Sequence, residues 1–353
     1  MQEISGPIGL FVSQQEIYFC DAENHRIRKV LSNGQVVTIA GTGTSGFNGD
    51  NQPATQAHIH YPVGVFVTSR DEVYICEGQG SRIRKIGVDG CIVTVAGTGV
   101  DGYTGDGGLA TEASIGSCGI FVTEDNEVYS AEWTNGCIRK ISQNGIITTI
   151  AAEEGDLPSA VFVTPSKEVY YTECGKGCVK KIGRDGTIEL IAGCEDGDET
   201  SDGIPALKAK INNPYDLQVT PSGEIFISEH GGGKIRKINL DGTIETIAGK
   251  SSVDDDDEYV ADDDIQCCGL FVTEIGEVYF TSDRRHCIKK IDEGGNLKNI
   301  IGTGKSGYSG DIPFDFKMYP HKGPRNRKPF SRREGNFVKA YHDIQIKCSE
   351  DWW

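Results

Sequence analysis

One sequence unit occurs six times along this chain of 353 residues, and the repetition limits the fold more than any other feature. The first copy reads GLFVSQQEIYFCDAENHRIRKVLSNGQVVTIAG, and the others keep its spacing of apolar residues and turns. The copies begin at Gly9, Gly64, Gly119, Ala160, Asp216 and Gly269, at intervals of 55, 55, 41, 56 and 53 residues. Such a period is typical of architectures in which each repeat forms one structural unit.

Each copy contains four short segments rich in β-branched and aromatic residues, separated by turns of Gly, Asn and Asp. These segments predict β-strands, and four strands in about 40 to 55 residues match the size of a propeller blade. The chain is therefore predicted to be an all-β, six-bladed β-propeller over residues 1–311, with four antiparallel strands per blade. A basic C-terminal tail of undefined structure follows at 312–353, and the blades are expected to start near residues 8, 63, 118, 159, 215 and 268.

Three columns of the repeat carry one residue type in nearly every copy. The first strand carries a phenylalanine, predicted to pack between blades, at Phe11, Phe66, Phe121, Phe162 and Phe271, with Gln218 in the fifth copy. The second strand ends in an acid at Asp21, Glu77, Glu132, Glu173 and Glu229. The third strand carries a base at Arg28, Arg84, Arg139, Lys180, Arg236 and Lys289. Facing columns of opposite charge predict one ion pair per blade rather than a functional ring of charge.

The pattern G-E-V-Y-x-x-E, then R-I-R-K-I, then D-G-x-I-x-T-I-A-G resembles the repeats of the NHL family. The linkers GTGTSGFNGDNQPATQAHIHYP and GTGVDGYTGDGGLATEASIG are similar to the long inter-blade connections of its longer-repeat branch. This resemblance covers about Ile8 to Asp311. It implies a six-bladed propeller that serves as an interaction module, although some propeller relatives are enzymes.

The charge and the N-terminal sequence exclude several classes of partner. A net charge of −17 argues against nucleic acid, because phosphate binding needs a basic surface. No apolar run is long enough for a membrane span, and the first residues resemble no signal peptide. With no N-glycosylation sequon, these features favour a cytoplasmic location.

Two groups of motifs have structural explanations. The G-x-G-x-x-G segments that start at Gly41, Gly97 and Gly302 follow strands rather than opening helices, so they are predicted to be turns and not dinucleotide sites. The twelve cysteines fall largely in shared repeat columns, which predicts mostly buried free thiols.

Enzymes with related propellers need a polar cluster or metal ligands where the first strands meet the central channel. Among the residues that enter these strands, only Asp216 is charged and none is histidine. The sequence therefore predicts no catalytic residue, no metal, no cofactor and no enzymatic activity.

The face that carries the long linkers and the turns between second and third strands is rich in acids. Its candidate binding residues, together with Asp216 in the channel, are Trp133, His230, Asp50, Asp106, Asp202, Asp254 and Asp255. These features favour a non-catalytic scaffold for a basic or polar protein partner. Two alternatives stay open: a metal-dependent hydrolase or lyase of the propeller lactonase or amidating-lyase type centred on Asp216, and a fragment of an extracellular sensor or adhesion protein.

Overall fold

A computed structural model describes residues 2–13, 16–116, 119–153, 155–193, 201–249 and 265–311. It consists of six antiparallel sheets, one for each sequence repeat. The predicted six-bladed β-propeller with four antiparallel strands per blade is confirmed. In the described residues, no helix is long and apolar enough to span a membrane.

Each blade uses consecutive strands of its own repeat. Blades 1 and 2 contain β1 (Pro7–Ser13), β2 (Glu16–Asp21), β3 (Arg26–Val30), β4 (Val36–Ala40), β5 (Gln52–Pro53), β6 (Pro62–Val67), β7 (Val73–Glu77), β8 (Arg82–Ile86) and β9 (Cys91–Ala96). Blades 3 and 4 contain β10 (Gly119–Val122), β11 (Val128–Glu132), β12 (Cys137–Ile141), β13 (Ile147–Ala152), β14 (Pro158–Val163), β15 (Val169–Glu173), β16 (Cys178–Ile182) and β17 (Ile188–Ala192). Blades 5 and 6 contain β18 (Ile204–Pro205), β19 (Pro214–Val219), β20 (Ile225–Glu229), β21 (Lys234–Ile238), β22 (Thr243–Ala248), β23 (Cys267–Val272), β24 (Val278–Ser282), β25 (Cys287–Ile291) and β26 (Leu297–Ile301). Single-turn 3₁₀ helices cover Ala22–Asn24, Ala54–Gln56, Ala110–Glu112, Trp133–Asn135 and Ala206–Lys208.

The innermost strands β1, β6, β10, β14, β19 and β23 surround the propeller axis. Each contacts the next, and β23 returns to β1, which closes the ring. The sixth sheet is complete with β23 to β26, so the closing blade needs no strand from beyond residue 301. Two short strands of the linkers, β5 and β18, extend blades 2 and 5 by pairing with the outermost strands β9 and β22.

The phenylalanine column lines the channel instead of packing only between blades. The ring centroids of Phe11 and Phe66 lie 4.8 Å apart, and Phe121 continues the series at 4.9 Å from Phe66. Phe162 and Phe271 complete this Phe belt at similar spacings. Each ring also packs against a hydrophobic cluster shared by two neighbouring blades, which confirms the predicted packing between blades.

The buried arginines of the third strands are held by two acids each, one from the blade and one from the preceding linker. Arg84 shows the arrangement: its Nη1 lies 3.2 Å from Glu77 Oε1 in the same blade, and its Nη2 lies 2.8 Å from Asp50 Oδ1 in the linker. The Phe47 ring covers the guanidinium at 4.8 Å. Charge-assisted hydrogen bonds and a ring face together compensate for the loss of water around the cation.

The pairing with two acids, here called an arginine hub, occurs in four blades, and in three of them a linker aromatic ring also covers the cation. Its arginines are Arg28, Arg84, Arg139 and Arg236, and each is fully buried. The linker acids of the other three hubs are Asp311 at 3.2 Å, Asp106 at 2.6 Å and Asp202 at 3.3 Å from Arg28, Arg139 and Arg236, respectively. The predicted ion pair between the acidic and basic columns is confirmed in these blades.

The hubs account for three of the predicted binding residues. Asp50, Asp106 and Asp202 each pair with a buried arginine, while their own side chains remain partly exposed. Their contribution to a partner-binding face stays a prediction. Asp254 and Asp255 lie outside the described residues.

Blade 4 departs from this plan because the linker before it is short. Lys180 replaces the hub arginine, and its ammonium group lies 3.0 Å from Asp156. No linker strand extends the sheet of this blade. As a result, Ile188 in its outermost strand is 38% exposed, whereas Ile92 at the same position of blade 2 is fully buried beneath the linker.

The glycine-rich linkers are turns, as predicted. Gly41 has a φ of 93°, and a Cβ there would lie 2.3 Å from the His25 carbonyl oxygen. At Gly43, a Cβ would collide with the Arg26 guanidinium. Only glycine therefore lets the linker pass this closely over the end of the third strand.

The hub that closes the ring yields a test of the fold. Replacing Asp311 with alanine leaves the buried Arg28 with one carboxylate fewer, so we expect the free energy of unfolding to fall by about 1–3 kcal/mol. Chemical denaturation measures this value. Glu293→Ala, which removes an exposed acid of blade 6, is the control for net charge. Equal stability of the two variants would show that the Asp311 contact does not contribute to ring closure.

Candidate active site at the channel mouth

Two positions in each repeat bring side chains to one end of the channel, here called the mouth. The first position precedes the regular part of the innermost strand, where a β-bulge interrupts the pairing, and the second directly follows the second strand. In blade 5 these residues are Tyr215 and His230, and in blade 6 they are Cys268 and Asp283. A bulge redirects one side chain out of the regular alternation, which places it beside the end of the neighbouring strand.

Three potential metal ligands converge between blades 5 and 6. One donor atom each from His230, Cys268 and Asp283 lies within 4.8 Å of the other two. His230 Nε2 and Asp283 Oδ1 are 3.5 Å apart. Cys268 is buried, while His230 and Asp283 are partly exposed toward the mouth. We call this group the His-Cys-Asp cluster.

The electrostatics of the cluster keep one acid charged and one thiol neutral. Burial is the largest influence and raises the pKa of Asp283, but the contacts with His230, the Arg284 N–H and Cys268 together leave this pKa below its ordinary value. Burial, with the nearby Asp283 charge, raises the pKa of the Cys268 thiol well above its usual range. Asp283 Oδ1 is itself buried and accepts no hydrogen bond, which is unusual for a charged oxygen.

The cluster has the composition of a transition-metal site. Imidazole nitrogen, thiolate sulfur and carboxylate oxygen are the donors that zinc accepts, at bond lengths of about 2.0–2.3 Å. Donors on a tetrahedral ion lie about 3.3–3.8 Å apart by that geometry, and the separation of 3.5 Å between His230 and Asp283 fits. Three protein ligands leave a fourth position for water or substrate, as in catalytic zinc sites.

Aromatic side chains extend from the cluster along the mouth. The Tyr215 ring lies 5.9 Å from the His230 ring on one side and 6.5 Å from the Trp133 ring on the other. Trp133 occupies in blade 3 the position that His230 has in blade 5, and it begins a 3₁₀ turn. The structure thus brings Trp133 and His230, both predicted as contact residues, to either side of Tyr215.

Tyr61, in the linker that enters blade 2, completes the mouth. With Tyr215, it packs against a small buried cluster that includes Cys268. Burial raises the pKa of Tyr61, and the negative charges of Glu23 and Asp283 raise it further. Its hydroxyl therefore stays protonated at neutral pH and is available as a hydrogen-bond donor.

Asp216 lies inside the channel and not in the His-Cys-Asp cluster. Its Oδ1 accepts the Leu217 N–H at 2.8 Å, and its Oδ2 accepts the Leu270 N–H of the next blade at 2.7 Å. Burial raises the pKa of Asp216 to about 7, although these two hydrogen bonds lower it in part. In the described residues, no other candidate metal ligand joins it.

The paired histidines of the repeat have a structural role. His25 Nδ1 accepts the Tyr61 N–H at 3.2 Å, and His286 Nδ1 accepts the Gly6 N–H at 3.0 Å. Each ring therefore fixes the linker that enters the following blade. A nitrogen that accepts a backbone N–H carries no proton, so any N–H of these rings lies on Nε2 in this geometry.

The sequence contained a signal for the cluster that the analysis of strand entrances missed. The residues that directly follow the acidic column are Ala22, Gly78, Trp133, Cys174, His230 and Asp283. This column is apolar or glycine in blades 1 and 2 and becomes polar or aromatic from blade 3 onward. Reading it beside the column that contains Tyr215 and Cys268 would have indicated a polar cluster at the mouth.

The comparisons with known proteins support the fold at low sequence identity. No family model matches the chain, so membership of the NHL family stays a prediction. The chain is 29% identical over 146 residues to protein SUPPRESSOR OF QUENCHING 1, chloroplastic, of Arabidopsis thaliana, a match that covers 39% of this chain but only 14% of that protein.

Two similar solved structures are enzymes. One is a catalytically inactive histidine-to-alanine variant of virginiamycin B lyase from Staphylococcus aureus with quinupristin, at a TM-score of 0.56 and 16% identity, covering 89% of this chain and 90% of that one. The other is a gluconolactonase from Xanthomonas campestris, at a TM-score of 0.57 and 13% identity, covering 84% and 87%. At such identities the likeness shows the fold alone.

The prediction that the chain is not an enzyme is contradicted by these comparisons, because propellers with this architecture include a lyase and a gluconolactonase. The prediction rested on a missing polar cluster at the channel. The described channel mouth does carry such a cluster, built from two repeat columns of two blades. His230, in the second column, was predicted as a contact residue but not as part of a catalytic cluster.

Asp216 allows a test of the channel electrostatics. Because its pKa is raised from 3.8 to about 7 in the folded protein, the neutral acid is favoured there, and stability is lost as the pH rises through 7. Between pH 5 and 8, we expect the wild type to lose roughly 2 kcal/mol relative to Asp216→Asn. Urea unfolding across this range measures the difference, with the exposed Glu293→Gln as control. Parallel pH profiles for wild type and Asp216→Asn would contradict the shift.

Proposed function

We propose that this protein is a metal-dependent lyase or hydrolase that acts at the channel mouth, with His230, Cys268 and Asp283 as the metal ligands. The observation that carries the proposal is the convergence of three different donor atoms within 4.8 Å. The buried Oδ1 of Asp283 supports it, because its contact with His230 Nε2 is long at 3.5 Å and leaves this charged oxygen without a well-formed hydrogen bond.

The ligands differ in what they contribute to the site. Cys268 is anchored by the β-bulge of β23, and its buried sulfur fixes the inner side of the cluster. His230 and Asp283 each follow the end of a strand and approach from the solvent side. The open side therefore faces the mouth, which is where a substrate arrives. A bound zinc-like ion would supply Lewis acidity toward a carbonyl or a water molecule.

Other residues of the mouth are suited to bind and protonate a substrate. The faces of Trp133 and Tyr215 offer an apolar surface next to the cluster. The protonated hydroxyl of Tyr61 is placed to donate a hydrogen bond or a proton to a leaving oxygen or nitrogen. These roles require no charge on Asp216. Both of its carboxylate oxygens already accept backbone hydrogen bonds.

The comparisons suggest which reactions to test first. The names of the similar propellers indicate a lyase studied with quinupristin and a gluconolactonase, and a histidine is essential in the former. Carried to this chain, these names favour cleavage of a cyclic ester, by elimination or by addition of water. His230 would be the histidine on which activity depends, here as a metal ligand.

Metal binding and turnover test this proposal together. We expect purified protein reconstituted with Zn²⁺ to hold one ion, measured by elemental analysis after desalting. His230→Ala, Cys268→Ser and Asp283→Asn should each weaken Zn²⁺ affinity by at least about 100-fold, since even residues beyond the ligands contribute 10–100-fold. Turnover of gluconolactone and quinupristin should fall in the same variants.

His58→Ala is the matched control, because this histidine lies in the linker before blade 2, where its own N–H bonds Asn48. It should leave Zn²⁺ affinity and turnover unchanged. A wild type that holds no zinc, manganese or other divalent ion after reconstitution would refute the metal site. Equal turnover in wild type and His230→Ala would refute the catalytic role of the cluster.

A further inference from the structure

The propeller axis contains a cavity of about 280 Å³ below the mouth. The Phe belt and aliphatic residues of all six innermost strands line it. Tyr215 belongs both to the lining of this cavity and to the aromatic surface beside His230. The cavity therefore adjoins the His-Cys-Asp cluster through Tyr215, and the three cluster residues lie outside its lining.

The polar residues that line the cavity are already satisfied within its wall. Both oxygens of Asp216 accept backbone N–H groups. The Gln218 amide donates to the Val272 carbonyl at 3.0 Å and accepts the Val272 N–H at 2.5 Å. Ser159 Oγ donates to the Tyr215 carbonyl oxygen at 2.7 Å. What the wall offers to an occupant is consequently its rings and aliphatic side chains.

We infer that this cavity receives the apolar part of the substrate, a phenyl ring or a branched aliphatic group, while the bond to be cleaved remains at the mouth. The inference rests on the proposed function for the identity of that bond, but occupancy of the cavity does not. A cavity of about 150 Å³ lined by apolar side chains already binds benzene, so one nearly twice as large accommodates a substituted ring.

Burial of such a group gives the substrate a fixed direction. Tyr215 separates the cavity from His230, so a ring held below Tyr215 leaves its polar substituent near the cluster. Water is a poor competitor for this space, because the wall has few free donors or acceptors to offer it. Substrates that carry an apolar group next to a cyclic ester are therefore preferred over fully polar ones.

Fluorobenzene, a small ring with a magnetic label, is the probe for the cavity. Its binding is measured by fluorine magnetic resonance of the wild type, His230→Ala and two lining variants. Phe121→Trp places a larger ring in the lumen and should weaken binding by at least about tenfold. Phe66→Leu enlarges the lumen, and should retain fluorobenzene while admitting larger rings.

His230→Ala separates this inference from the proposed function. We expect it to bind fluorobenzene like the wild type although it loses zinc, whereas Phe121→Trp should keep zinc and lose fluorobenzene. Preference for a phenyl-bearing lactone over gluconolactone should fall in Phe121→Trp. Zinc binding without any fluorobenzene binding in the wild type or Phe66→Leu would overturn the cavity proposal alone. Fluorobenzene binding without zinc or turnover would overturn the proposed function alone.

Discussion

A guanidinium group that is fully removed from water must be surrounded by acceptors, and the arginine hubs meet this requirement by joining each linker to a blade. In Arg28, Arg84 and Arg236 the Nε atom still lacks an acceptor, so the two carboxylates carry the compensation. The linker motif follows from this demand: its aromatic residue covers the cation, its aspartate binds the cation, and its glycines permit the close passage. Arg28 of blade 1 forms the same kind of ion pair with Asp311, which lies in the segment after blade 6, so this hub joins the last part of the ring to the first.

The hubs lie away from the axis, and this separation explains why the mouth can differ from blade to blade. Packing and ion pairing require the acidic, basic and phenylalanine columns to stay nearly constant. The position that follows the acidic column takes no part in this packing or ion pairing, so its residue type varies: it is alanine in blade 1 and aspartate in blade 6. A constant frame therefore supports a variable rim, on which His230, Cys268 and Asp283 meet. Sites carried by connections on a rigid scaffold are common in proteins for this reason.

The repeat was sufficient to predict the blade count, the strands of each blade and the ion pairs, because all of these depend on contacts within one repeat or between consecutive ones. The cluster was harder to predict, since it depends on two columns that meet only when blades 5 and 6 are placed side by side. The ion pairs of the linker acids were missed for a similar reason: Asp50 is 34 residues from Arg84, and the sequence does not reveal that they touch. Gln218 and Asp216 differ from the residues that the other blades have at these positions. Their side chains instead form hydrogen bonds with the backbone of blade 6.

The short linker before blade 4 makes the ring mechanically uneven. Its outermost strand lies bare, with Ile188 and Leu190 in solvent, and its lysine replaces the forked cation of the hubs. Opening this blade disrupts fewer buried contacts than opening blade 2 or blade 5, whose outer strands are covered. Blade 6 has a similar bare edge at Leu297, which is 44% exposed, so local opening of the outer strands is expected to begin at blades 4 and 6 rather than at blades 2 and 5.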